Sequence, residues 1–171
     1  ELALAGADAG DFVRFRVRTT ANSEANTSVA YTANTWEHYA AVSASATDRT
    51  VYVNGGSSGT NTTSRIPTGI DTISIGRRPV VTPTNYMSGD IAEAALWDVA
   101  LTAADVLSLS KAVSPLLVRP EALVFYCPII GRYSPEIDVV GGLNLTVTGA
   151  VAGAHPRIFY GIPPLRRETP V

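Results

Sequence analysis

The chain has 171 residues and a mass of 18.0 kDa, the size of one domain, and about 70% of such a chain's unfolded surface can be buried in a single core. Apolar residues make up 46% and charged residues 16%, with 13 basic against 15 acidic side chains and a net charge of −2, a balance that excludes nucleic acid as the main partner. The lone Cys127 and the two histidines, His38 and His155, exclude an intrachain disulfide, a Cys-based zinc site and a His-rich metal cluster.

From the N-terminus, ELALAGADAG has neither a basic start nor an apolar run, so no signal peptide is expected, and no stretch is apolar enough for a membrane span. Residues 11–18 alternate, with Val13, Phe15 and Val17 on one face and Arg14, Arg16 and Arg18 on the other, which predicts a strand. A weaker run covers 27–33. A third strand is expected over 35–46, with Trp36, His38, Ala40 and Val42 facing one way and Glu37, Tyr39 and Ala41 the other. Asp48 and Arg49 read as a tight turn into a strand over 50–54, which Asn54-Gly55-Gly56 ends. Residues 55–65 read as a polar loop without core residues. Strands are expected over 71–76, with Ile73 and Ile75 inward, and over 89–99, where Trp97 reads as core.

The period then changes. Thr102-Ala-Ala-Asp105 is a capping pattern, and Val106, Leu107 and Leu109 follow at helical spacing, so one helix is predicted over 103–111. Further strands are expected over 122–126 and 144–148. Residues 155–171, HPRIFYGIPPLRRETPV, are Pro-rich and aperiodic, as in an arm laid along another surface. Short alternating runs split by turn residues read as an all-β sandwich of antiparallel sheets with one short helix.

Five blocks of residues carry a resemblance. They are Trp36-Glu37-His38-Tyr39-Ala40-Ala41-Val42, Val51-Tyr52-Val53-Asn54-Gly55, Ile73-Ser74-Ile75-Gly76, the run from Gly89 to Trp97 (GDIAEAALW), and Ala100-Leu101-Thr102-Ala103-Ala104-Asp105-Val106. In this order they resemble the W-x-H-V-A, Y-V-N-G, I-x-I-G, G-x-I-D-E-V-x-I-W and A-L-S-x-x-E-V blocks of the laminin-G-like, concanavalin A-like jelly roll. The resemblance covers about residues 11–126 and implies a domain over 1–126 whose first strands precede residue 1. It implies a completing strand region over 127–154 and an extended arm over 155–171. Ala92 stands where the family often has Asp, which weakens any metal site inferred there. Stretches such as Ser114-Pro115-Leu116-Leu117-Val118-Arg119-Pro120 and His155-Pro156-Arg157-Ile158 resemble laminin-G-like proteins of tailed phages and prophages. That likeness implies a virion surface component, a capsid decoration or a fibre-associated protein, in contact with other virion proteins and with copies of itself.

Some glucanases share the jelly roll and need two or three carboxylates alternating along one strand face, with acid and nucleophile about 5 Å apart. The chain has no such run: Asp90 and Glu93, three apart on an expected strand, would point to opposite faces. No catalytic residue and no enzymatic activity are therefore expected. His38 reads as a packed histidine held by one hydrogen bond, and Cys127 as a small buried hydrophobe. No cofactor is predicted; Asp48, Asp71, Asp90 and Asp98 near strand ends are compatible with calcium, but no dense acidic loop joins them. The second functional expectation is a lectin-like module for host surface glycans, with Arg77, Arg78, Asn85, Tyr86 and Asn61 as contacts on the 55–65 and 77–88 loops. Partner contacts are expected from Phe159, Tyr160, Arg166 and Arg167 on the arm. The Arg14, Arg16 and Arg18 stripe reads either as such a contact or as a face paired with carboxylates on the next strand.

Overall fold

Alternation governs the first sheet. In the computed structural model, which describes residues 1–6, 9–56, 58–69, 72–78, 82 and 84–161, the run at 11–18 forms β2 (Phe12–Arg18) between β1 (Leu2–Leu4) and β3 (Asn22–Ala30), all antiparallel. Val13 and Val17 are buried as expected, and Phe15 packs on the core beside them. Strand β3 begins five residues before the run expected at 27–33. Its inward positions are Ser23, Ala25 and Thr27, so small and hydroxylated side chains hide the period that burial imposes.

The second sheet has the order β4 (Tyr39–Ser45), β5 (Asp48–Val53), β6 (Ser58–Asn61), again antiparallel. Three expectations are corrected here. The strand starts at Tyr39 rather than Thr35, which leaves Trp36 44% exposed on the approach and puts Tyr39 against the core. The hairpin turns at Ala46–Thr47; Asp48 and Arg49 are the first residues of β5, and Arg49 is 1% exposed. The segment 55–65 contains a strand, because Ser58–Asn61 completes the ladder on β5 through backbone bonds that need no apolar side chain.

The two sheets pack through β2 and β3 against β5 and β6. Val13, Ala25, Val51 and Val53 form the buried cluster between them, with Leu4, Phe15, Tyr31 and Tyr39 around it. Each valine buried there is worth about 1.5–3 kcal/mol. Gly59 sets the closest approach: a Cβ at that position would collide with the Asn26 carbonyl oxygen and stand 3.2 Å from the Thr27 nitrogen.

The remainder centres on a two-stranded pair, β7 (Ala94–Trp97) with β8 (Leu123–Cys127), and on α1 (Ala103–Ser110). The helix starts as expected: Thr102 Oγ1 accepts from the Asp105 amide at 3.2 Å, and Asp105 Oδ2 accepts from the Thr102 amide at 2.9 Å. Val106 and Leu109 are its buried residues. The long strand expected over 89–99 is cut to four residues, because Gly89 and Glu93 have φ of +147° and +59° and left-handed backbone cannot continue a ladder. Trp97 is half-buried and donates from Nε1 to the Val118 carbonyl at 2.8 Å. No strand covers 72–76; Ile73 and Ile75 are half-buried. Nor is there one over 144–148, where a single bridge joins Leu145 to Glu136.

The outcome is the expected architecture, an all-β jelly-roll sandwich of antiparallel sheets with one helix. None of the described helices is long and apolar enough to cross a membrane.

Candidate functional site

Residues 74–78 and 84–87 are joined at two levels. The Met87 amide donates to the Gly76 carbonyl at 2.7 Å, and the Arg78 amide donates to the Thr84 carbonyl at 2.9 Å. Arg77 lies between these rungs, opposite Asn85 and Tyr86, and its Nε donates to Ser74 Oγ at 3.2 Å. Asn85 takes φ of +53°, a conformation its short amide tolerates, and this turns the chain into Tyr86. Tyr86 is 68% exposed, and Met87 beside it is also exposed. Among the described residues no carboxylate pairs with Arg77 or Arg78. The structure therefore gathers Arg77, Arg78, Asn85 and Tyr86 on one anchored loop.

Asn61 is separate from that group. Its Oδ1 accepts from Ser23 Oγ, from an Arg49 terminal nitrogen at 2.9 Å and from the Thr63 amide, while its Nδ2 donates to the Glu24 carbonyl at 2.9 Å. The Arg49 guanidinium also donates to Ser23 Oγ at 2.9 Å, to the Ala46 carbonyl at 2.5 Å and to the Thr63 carbonyl. A buried cation whose terminal nitrogens donate to neutral oxygens, while its Nε has no hydrogen-bond partner, thus ties β5 to β3 and β6. Nothing local in the sequence signals it, because the acceptors are 3 to 26 residues away.

The arginine stripe on β2 meets the next strand. Arg14 Nε lies 3.1 Å and Arg16 Nε 2.6 Å from the Glu24 carboxylate, and the Arg14 guanidinium stands 5.1 Å over the Phe12 ring. Arg16 also reaches Glu1 Oε2 at 3.4 Å. Arg18 is exposed.

At the end of β4, Glu37 accepts from the Thr32 amide at 2.9 Å, the Tyr39 hydroxyl at 2.9 Å and Asn54 Nδ2 at 3.1 Å. Burial alone would raise the Glu37 pKa, but these three donors outweigh it and hold the carboxyl below its ordinary value. His38 departs from expectation. Its buried Nδ1 has no hydrogen-bond partner, and burial lowers the ring's pKa to about 4, so it stays neutral well into acid.

A second polar cluster joins the stretch before β7 to the C-terminal segment. The Tyr126 hydroxyl on β8 donates to Glu93 Oε2 at 2.7 Å, and His155 Nε2 lies 3.1 Å from Glu93 Oε1. Burial pushes the Glu93 carboxyl above its ordinary value despite both neighbours. Asp90 and Glu93 do not sit on a strand at all. Residues 155–161 dock on their own chain: the Phe159 amide donates to the Ala112 carbonyl at 2.7 Å, and its carbonyl accepts from the Ser114 amide at 2.8 Å. The Phe159 and Tyr160 rings remain largely exposed. Arg166 and Arg167 lie outside the described residues.

Asp138 is a residue that sequence reasoning missed. Only 4% exposed, its carboxylate accepts from the amides of Tyr126, Val140, Gly141 and Leu143 at 2.9–3.1 Å. Burial would raise its pKa; the four amides outweigh burial and hold it below the ordinary carboxylate value. The Gly141-Gly142 pair after it was the available signal, since an Asp followed by glycines favours a turn around the carboxylate. Cys127 is buried as expected, and burial raises its thiol pKa. Among the described residues no group of three or more His, Cys, Asp or Glu side chains is placed to hold a metal ion, and Asp71 lies outside them.

Comparison with known proteins adds the family. A solved S-layer domain-containing protein (residues 221–444) from Clostridium thermocellum is 22% identical to the chain, with a TM-score of 0.43; the match covers 58% of this chain and 52% of that one. The chain thus spans about half the length of that structure. No curated protein matches. A family model described as the concanavalin A-like lectin/glucanases superfamily matches residues 1–107. That span takes in both three-stranded sheets, the anchored loop and the start of α1, and the chain belongs to the concanavalin A-like lectin/glucanase superfamily.

Proposed function

We propose that the chain is a non-enzymatic carbohydrate-binding module whose ligand lies on the 74–87 loop. The observation that carries this reading is Tyr86, a largely exposed aromatic ring on a loop fixed by two backbone bonds and flanked by Arg77, Arg78 and Asn85. An apolar ring face suits the C–H face of a sugar, and guanidinium and amide donors suit its hydroxyl oxygens. Anchoring the loop beforehand lowers the ordering cost of binding. Membership of a superfamily that includes lectins supports the class of ligand.

Tyr86→Ala should weaken binding to an immobilised polysaccharide identified on a glycan array by about tenfold, the order of one good stacking contact at 1–1.5 kcal/mol. Its melting temperature should stay within 1–2 °C or so of the parent, since an exposed ring contributes little to the fold. Retained affinity in Tyr86→Ala would move the site off this loop, and a parent chain that binds no glycan on the array would sink the carbohydrate reading itself.

A second reading, a component of a virion surface that contacts neighbouring virion proteins or further copies of the chain, is favoured by the segment after β8. Tyr133, Ile137, Val139, Leu143 and Val151 are all exposed there, side chains of the kind that an interaction surface presents. Quantitative mass spectrometry of density-purified phage particles tests it: copies in fixed proportion to the major capsid protein are expected, and absence from the particles would remove it.

A further inference from the structure

Strand β4 is the outer strand of its sheet, and its ladder to β5 fixes which backbone groups face away. The Asn54 amide donates to the His38 carbonyl at 2.8 Å, so these two residues are a hydrogen-bonded pair. Such pairs alternate along an antiparallel ladder. The register of Tyr39 with Val53, Ala41 with Val51 and Ser43 with Arg49 therefore turns the N–H and C=O of Tyr39, Ala41 and Ser43 outward. Among the described residues none of these groups has a hydrogen-bond partner.

The strand lacks the features that ordinarily guard an edge. Its sequence, Tyr-Ala-Ala-Val-Ser-Ala-Ser, holds no charge and no proline, and the irregularity in its ladder falls after Ser43. Open backbone groups on such a strand are a template for a further strand.

The two ends of β4 differ in charge. Before it, Glu37 takes its hydrogen bonds from the Thr32 amide, the Tyr39 hydroxyl and Asn54 Nδ2, all neutral. Beyond it, the Arg65 amide donates to the Ala46 carbonyl at 3.0 Å, which fixes Arg65 beside the hairpin turn. The Arg65 guanidinium reaches the Ser64 carbonyl at 2.8 Å, and its buried Nε has no partner. Among the described residues no cation pairs with Glu37 and no carboxylate with Arg65.

We infer that β4 pairs with β4 of a second copy of the chain, antiparallel about a two-fold axis at Ala41, so that two three-stranded sheets become one. Tyr39 then lies opposite Ser43 of the second copy and Ala41 opposite Ala41, and every outward N–H meets an outward C=O. The same register sets Glu37 opposite Ser45 of the second copy, one residue from Ala46 and so close to Arg65. The carboxylate without a cation thus meets the guanidinium without a carboxylate, and the two-fold axis repeats the contact at the other end. A parallel pairing would set Glu37 against Glu37, like charges that repel. The pairing uses neither Tyr86 nor the segment after β8, and it rests on neither functional reading.

Sedimentation equilibrium and amide hydrogen exchange on the intact chain test this together. At about 100 µM the particle should have twice the 18.0 kDa mass of one chain. Between about 1 µM and about 100 µM, exchange at the Tyr39, Ala41 and Ser43 amides should slow about tenfold, while the Ala40 and Val42 amides, which face β5, stay unchanged. Ala41→Pro removes an outward N–H and none of the bonds to β5, so it should leave a folded monomer. Arg65→Glu sets a carboxylate against Glu37 and should raise the dimer Kd about tenfold or more; should Ala41→Pro fail to fold, this variant decides alone. A single-chain mass at about 100 µM, or protection of the three amides that does not vary with concentration, as when another part of the same chain covers the edge, would overturn the pairing. So would a dimer that both folded variants leave intact, because its contact would lie on another surface.

Discussion

At the residue scale, Asp138 shows how one side chain can organise a segment that has almost no ladder of its own. Four amides converge on its carboxylate, one from β8 and three from the turn that follows it. Because these bonds depress the folded pKa, the stabilisation is fully present above the unfolded value near 3.8 and is lost as pH falls through the lower folded value. Thermal unfolding followed from pH 7 down to about 3 should show a melting temperature that drops steeply at the acid end. Asp138→Asn should be less stable at pH 7 by about 2 kcal/mol, since its amide nitrogen cannot accept from the Leu143 amide, and should show a shallower acid slope. Equal slopes in the two chains would remove Asp138 from the acid sensitivity. Glu37 shares the direction of shift and contributes to the parent slope in both.

At the scale of elements, the approach of β6 to β3 is set by a missing side chain. Gly59 has no freedom to become alanine: the added carbon would overlap the Asn26 carbonyl, which belongs to backbone and cannot swing aside. Gly59→Ala should cost about 3 kcal/mol or more in urea unfolding, more than a typical glycine substitution in a strand. A loss below 1 kcal/mol or so would mean that the sheets can slide apart cheaply. This contact also shows why 55–65 was misread. Strand β6 is recruited by backbone bonds to β5 and by Asn61, and its sequence, Ser-Gly-Thr-Asn, has no apolar alternation to find. Where alternation and burial coincide, as in β2, or where a cap is written into four residues, as before α1, local sequence was enough. Where left-handed backbone at Gly89 and Glu93 interrupts an apolar run, composition alone points to a strand nearly three times too long.

At the scale of the molecule, the family and the sandwich were legible because five blocks in fixed order report a topology that no single block does. The anchored loop was legible in part: Arg77, Arg78, Asn85 and Tyr86 come together as expected, while Asn61 turns into the packing of the two sheets. The pairs that hold the chain's two ends of sequence together were not legible. Glu93 meets His155 62 positions further on and Arg49 meets Ser23 26 positions back, and neither separation leaves a local pattern.

The Arg49 tie has a consequence in temperature. Apolar packing between the sheets gains little further strength on warming, whereas the cost of withholding a charged group from water falls, because hydration of a charge carries a negative entropy. A guanidinium fixed to four oxygens at the seam therefore becomes relatively cheaper to keep as the solution is heated. The seam between β3, β5 and β6 should be the last part of the sandwich to melt, and the solvent-facing segment after β8 the first.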